Sequence, residues 1–191
     1  RAYTCSDNVT IVKHEHEWKL DSQYPHLHSC ACGKSENHEY DSSTGKCKIC
    51  QSECSHKGVD NDGTCFTCKA QMLVKIENGG KTTYGTDFKA AMKNATNGTK
   101  ITLLADVSIP NRTGISGDDT TVTLDLNGHK ITSGWLDVGG KDTNGTYTTC
   151  TLKIIGKGSY EPPMYGGIIT VDLKATLDLS EWEGGTISSI N

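Results

Sequence analysis

From residue 72 onward the chain alternates apolar and polar positions in short runs. Met72-Leu-Val-Lys-Ile-Glu77 predicts a strand that Asn78-Gly79-Gly80 ends. Further strands are predicted at Ile101-Thr-Leu-Leu104, Val122-Thr-Leu-Asp-Leu126, Leu136-Asp-Val138, Thr151-Leu-Lys-Ile-Ile155, Ile168-Ile-Thr-Val171, Leu177-Asp-Leu179 and Ile187. A period of two places one set of side chains on a core face and the other in solvent. Turns fall between the runs at Ser116-Gly-Asp-Asp119, Asn127-Gly128, Gly139-Gly140, Asn144-Gly145 and Gly184-Gly185. One segment changes period: Phe88, Ala91, Met92 and Ala95 share one face of a helix over about residues 87–95, capped by Thr86 or Asp87 and stopped at Asn97-Gly98. Regular spacing with one or two strands per interval suits the rungs of a coiled solenoid. The same alternation and turn spacing also suit a β-sandwich.

Residues 1–72 show no sustained apolar period. They carry eight of the nine cysteines and six of the seven histidines. Cys32, His38, Cys47, Cys50 and then Cys50, His56, Cys65, Cys68 share the spacing C-x5-H-x8-C-x2-C, a repeat of 18 residues. So few apolar residues cannot supply a core, so a metal or disulfides must hold this module. Thiolate and imidazole together satisfy the tetrahedral shell of Zn2+, and two residues between cysteines let one turn aim both sulfurs at one ion. Cys54, His56, Cys65 and Cys68 form a complete Cys3His set. His38, Cys47 and Cys50 form a second set, with Cys32 expected as its fourth ligand. His14, His16, His26, His28 and Cys30 offer more donors than a third site can use. A disulfide framework is the alternative, although an odd cysteine count cannot pair completely and disulfides give no reason for regular histidines. The expected cofactor is structural Zn2+, and the expected module boundaries are 1–72 and 73–191.

The net charge of −4 and the absence of a dense Lys/Arg run argue against a nucleic-acid partner. No apolar stretch approaches the ~20 residues of a membrane-spanning helix, so no membrane insertion is expected. The chain opens at Arg1 and stops at Asn191 within a strand-like pattern, which reads as a piece of a longer protein.

The Cys/His module resembles Cys/His-rich repeats of surface proteins from Gram-positive gut bacteria. The resemblance rests on His16-Glu-Trp18, His28-Ser-Cys30-Ala-Cys32-Gly33, His38 and the two CxxC knuckles. In that family the first knuckle is usually C-x-x-C, whereas here it is shortened to Cys30-Ala-Cys32. His16, His28 and Cys30 are the ligand candidates the pattern marks, and the resemblance implies an extracellular, cell-surface location and a spacer role. The string from Tyr84 to Ile131 resembles the opening of a right-handed parallel β-helix of the pectate-lyase-like superfamily, with an N-terminal capping helix. The expected fold is therefore mainly β: a small zinc-ribbon-like Cys/His module followed by the start of a β-helix.

Members of that superfamily cleave acidic polysaccharides with clustered Asp, Arg and Lys. Here Asp106, Asp118, Asp119, Asp125 and Asp137 are accompanied by only one arginine besides Arg1, Arg112, and read first as turn residues. His129 reads as a turn residue and Cys150 as a buried thiol. No HExxH-type motif accompanies the metal ligands. Two functions follow. One is a secreted or cell-surface binding protein, adhesin-like, that contacts a host glycoprotein; the resemblance brings in immunoglobulin as the candidate. The other is the non-catalytic start of a polysaccharide lyase or glycoside hydrolase. Trp135, Tyr147, Tyr160, Tyr165 and Trp182 are the aromatic anchors a protein partner would use, with the Tyr160-Glu-Pro-Pro-Met-Tyr165 loop as the preferred contact site.

Overall fold

The computed structural model describes residues 16–21, 27–44, 46–56, 58–109, 111–132, 134–161 and 168–187. Chain contacts divide it into two compact units, 1–54 and 55–191, rather than at the expected 72/73 boundary. The difference has a physical cause. Ala70 and Met72 are buried, the Met72 N–H donates to Gly63 O, and a Cβ at Gly63 would meet Leu104 Cβ at 3.1 Å. The second knuckle is therefore anchored on the strands that follow it.

In the first unit, β1 (Lys19–Leu20), β2 (Leu27–Ser29) and β3 (Ser35–Asn37) form a small antiparallel sheet in that order. A tight turn joins β2 to β3, with Gly33 N donating to Cys30 O and Cys30 N to Lys34 O. Gly33 takes φ +85°, which a side chain would resist.

The second unit is built on strands. β4 (Val74–Asn78) and β5 (Lys81–Gly85) form a hairpin, followed by α1 (Phe88–Lys93) and β6 (Thr99–Leu103). The β4–β5 turn is Gly79-Gly80, both with φ > 0, as a two-residue type I′ connection requires. In α1 the Asp87 side chain accepts from Ala90 N at 3.0 Å, so Asp87 is the cap, and Phe88, Ala91 and Met92 are buried. The helix ends at Lys93 with Asn94 as its C-cap, short of the expected Ala95, because Ala95 N already turns back to Met92 O.

The remaining strands are β7 (Val107–Ser108), β8 (Arg112–Ile115), β9 (Thr120–Asp125), β10 (Lys130–Thr132), β11 (Trp135–Val138), β12 (Cys150–Gly156), β13 (Ser159–Glu161), β14 (Ile169–Val171) and β15 (Thr176–Trp182). They form three parallel ladders: β6-β9-β12-β15, β7-β10-β13 and β8-β11-β14. Parallel pairing is not that of an antiparallel sandwich. The registers align apolar side chains rank upon rank: Ile101 on Leu124 on Ile154, Val107 on Ile131 on Tyr160, and Ile115 on Val138 on Val171. These ranks, together with Phe88, Ala91 and Met92 of α1, make one buried cluster, with half-buried Val171 packed against it. The chain is thus mainly β, with a Cys/His region ahead of the parallel ladders.

Candidate metal centres

Each CxxC knuckle is built by the same backbone bonds. In one, Cys47 N donates to Ser52 O, Gln51 N to Cys47 O, Lys48 N to Glu39 O and Asp41 N to Lys46 O. In the other, Cys65 N donates to Ala70 O, Lys69 N to Cys65 O, Phe66 N to Gly58 O and Asp60 N to Thr64 O. Gln51 and Lys69 both take the left-handed conformation, at φ 59° and 61°, which turns the chain back after the second cysteine. The aspartate before each knuckle secures the approach. Asp41 accepts from Ser43 N and Thr44 N, and Asp60 from Asp62 N and Thr64 N. Asp41, held first by the Ser43 hydroxyl and then by those N–H groups, sits well below the usual carboxylate range, at about 2.

These turns bring donor atoms together in three groups, each within 4.8 Å: Cys54, His56, Cys65 and Cys68; His38, Cys47 and Cys50; and His16, Cys30 and Cys32. A small tetrahedral ion with metal–sulfur bonds of about 2.3 Å and metal–nitrogen bonds of about 2.0 Å holds its ligand atoms about 3.6 Å apart. His56 Nδ1 lies 3.4 Å from Cys68 Sγ, and His16 Nδ1 lies 3.4 Å from Cys32 Sγ. Both pairs fit one shared ion. The eight described cysteines carry no disulfide. Burial acts to raise the Cys65 thiol, but the Cys68 N–H, His56, the Thr67 N–H and the Cys68 thiol together outweigh it and bring it down to about 6. At Cys47, burial is likewise outweighed, chiefly by the N–H groups of Cys50 and Ile49, and the thiol falls below its usual value. Such thiols favour the thiolate that a metal needs.

The Cys54 group is the complete set expected from the spacing. Cys32 departs from expectation. The β2–β3 turn carries Cys30 and Cys32 together toward His16, so Cys32 joins that group instead of His38. His16 also stacks on Trp18, with ring centroids 4.9 Å apart. His14 and His26 lie outside the described residues, as does the side chain of His28.

The aromatic residues divide. Tyr160 is a core residue, 2% exposed, so it is not a surface anchor; the β10–β13 register sets it against buried Ile131. Tyr165 lies outside the described residues. Trp135 and Asp137 alternate with buried Leu136 and Val138 and so stand on the outer face of β11. The Arg112 guanidinium lies 4.8 Å from the Trp135 ring centroid and grips Asp137 through Nε at 2.9 Å and Nη2 at 2.7 Å. Nothing in the sequence pattern announced that pairing, because Arg112 and Trp135 meet only through the β8–β11 register. The Lys141 ammonium lies over the Tyr147 ring at 4.7 Å. Trp182 donates from Nε1 to Gly158 O and lines a cleft of 670 Å³ with Asp125, Asn127, Lys157, Glu181 and Glu183.

No family model, no curated protein and no solved structure matches the chain.

The other acidic residues work as turn anchors. Asp106 accepts from Lys130 N, Asp118 from Thr149 N and Asp125 from Asn127 N. His129 Nδ1 lies 3.3 Å from Asp106 Oδ1. Cys150 is buried, and that burial raises its thiol above the usual value.

Proposed function

We propose that the chain belongs to a secreted or cell-surface bacterial binding protein in which zinc-held Cys/His knuckles precede a right-handed parallel β-helix, and that its β-helix contacts a host glycoprotein, immunoglobulin being the candidate. The parallel ladders and their stacked aliphatic ranks are what a β-helix requires, and α1 takes the place of its end cap. Zinc suits the donor sets because thiolate and imidazole in near-tetrahedral spacing are its preferred ligands. The observation that carries the binding reading is the Trp135–Arg112–Asp137 unit. An outward tryptophan under a guanidinium, which a carboxylate holds in two hydrogen bonds, is a preordered anchor. Trp and Arg are the residues that most often dominate protein interfaces.

The test is capture from mucosal secretions by the immobilised chain, compared with Trp135→Ala and Arg112→Ala. Each variant is expected to weaken capture at least tenfold, about 1.4 kcal/mol, with its thermal midpoint unchanged. A second reading, the start of a polysaccharide-processing enzyme, draws on the cleft that Trp182, Asp125 and Glu181 line. Release of reducing sugar from pectin, hyaluronan or mucin glycans would replace the first reading with the second.

A further inference from the structure

Asparagine is a thermolabile residue, and most so before glycine, whose missing Cβ lets the backbone nitrogen swing onto the preceding carboxamide. The chain has four such pairs: Asn78-Gly79, Asn97-Gly98, Asn127-Gly128 and Asn144-Gly145. Two of them share one context, Thr-Asn-Gly-Thr, at Thr96–Thr99 and Thr143–Thr146. Exposure does not separate the pairs, since Asn97, Asn127 and Asn144 are all exposed. Hydrogen bonding does. Asn97 Oδ1 accepts from Thr121 N at 2.9 Å and Gly98 N donates to Thr121 O at 2.9 Å, which fastens both reacting groups to β9. Asn127 Nδ2 donates to Leu103 O of β6 at 3.0 Å, and Gly128 N donates to Lys157 O, just past β12, at 2.7 Å. Asn78 Nδ2 donates to Thr96 Oγ1 at 2.9 Å and to Thr99 Oγ1 at 2.8 Å. Asn144-Gly145 stands apart from the ladders, in a turn between β11 and β12 that the Lys141–Tyr147 bridge closes. The bonds there run within the turn. Asn144 N and Thr146 N each donate to the Asp142 carboxylate at 2.8 Å, Gly145 N donates to Asp142 O at 3.0 Å, and Asp142 N donates to Thr146 O at 2.8 Å. Gly145 holds φ +79°, and the space where its Cβ would point is empty to 4 Å. This turn can change shape without any ladder opening.

We propose that Asn144 is a site of spontaneous modification in the folded chain, where it converts to aspartate and isoaspartate through a succinimide. Gly145 N attacks Asn144 Cγ. The N–Cγ bond forms, the Cγ–Nδ2 bond breaks, and the Gly145 amide proton departs with Nδ2 as ammonia. Water then opens the ring at one of its two carbonyls, with no oxidant or reductant taking part. Opening at Cγ gives aspartate on an unaltered backbone. Opening at the Asn144 backbone carbonyl gives isoaspartate, whose main chain runs through Cβ and Cγ. Either product adds a carboxylate to the turn that already holds Asp142 and Lys141, whose ammonium lies over the Tyr147 ring. The turn thus gains negative charge as the molecule ages, while the parallel ladders keep their registers. The two Thr-Asn-Gly-Thr sites make the comparison internal, because the same four residues meet different surroundings.

The folded chain is aged at neutral pH and physiological temperature and then digested. Each Asn-Gly peptide is weighed by mass spectrometry, and isoaspartate is counted by labelling with an isoaspartyl methyltransferase. Asn144 is expected to convert about tenfold or more faster than Asn78, Asn97 and Asn127, whose reaction needs anchored strands to open. In strong denaturant Asn144 and Asn97 should react at the same rate, since only the fold distinguishes them. Asn144→Gln, whose longer side chain closes a less favoured six-membered ring, should remove most of the methyltransferase signal of the folded chain. Equal conversion of Asn144 and Asn97 in the folded chain would overturn the proposal. A lead for Asn144 that survives denaturation would overturn it as well, and so would labelling that survives Asn144→Gln.

Discussion

The Tyr160 hydroxyl donates to the Gly134 carbonyl at 2.8 Å from a side chain that is only 2% exposed. Burial, set only partly against the backbone contact near Leu136, pushes this phenol from 10.0 up to about 12. The native fold thus binds the phenolic proton more tightly than the unfolded chain does. The stability this provides is complete below pH 10 and is lost as the pH rises through about 12. Absorbance titration should show one late-ionising tyrosine, with unfolding across that window. Tyr160→Phe should remove the late phase and cost about 1–2 kcal/mol at neutral pH, because the Gly134 carbonyl loses its donor. A neutral-pH melt unchanged by the substitution would contradict this.

Gly114 on β8 faces Asp137 on β11 so closely that a Cβ would lie 1.9 Å from the Asp137 carbonyl oxygen. Because the obstacle is backbone, no rotamer relieves it. Gly114→Ala should lower stability by at least ~3 kcal/mol in a denaturant titration. Gly140, whose φ is not left-handed and whose Cβ would meet only Ser116 Cβ at 3.4 Å, serves as the control for sheer loss of a glycine.

Residues such as Val122, Leu124 and Leu152 were legible as strands because each alternates strictly with a polar neighbour. β7 has two residues, and β8 and β13 read Arg-Thr-Gly-Ile and Ser-Tyr-Glu. Segments so short and so polar carry no period, and only their parallel neighbours define them. β5 was missed for a different reason: an edge strand with Lys81, Thr82 and Thr83 exposed shows no apolar face, although Gly79-Gly80 marks the hairpin. In the metal region, equal spacing misled. Cys32 stands before His38 as Cys50 stands before His56, and that spacing pointed Cys32 to His38; it turns away to His16 instead, while Cys54 joins His56, Cys65 and Cys68 in the expected set.

Thr113 sits in a core rank against Leu136, 6% exposed, and its Oγ1 has no hydrogen-bond partner. Thr113→Val keeps the shape and removes the unsatisfied hydroxyl. It should raise stability by about 1 kcal/mol, read as a higher thermal midpoint. Thr113→Ser should not, since it keeps the hydroxyl and loses the methyl.

Metal removal should act locally. The Cys47 N–H and Cys65 N–H are held by bonds that close within their own knuckles. A strong chelator is expected to strip hydrogen-exchange protection from both, while Val122 and Leu152, deep in the parallel ladders, keep theirs. Simultaneous loss at all four amides would show that the ladders depend on the ions.

The self-closing knuckles have a mechanical side. Each one ties its own ends together, from Cys47 to Ser52 and from Cys65 to Ala70. With an ion in each, such links are expected to give way one after another under tension, each releasing a short length of chain. Links of this kind would act as a row of small fuses.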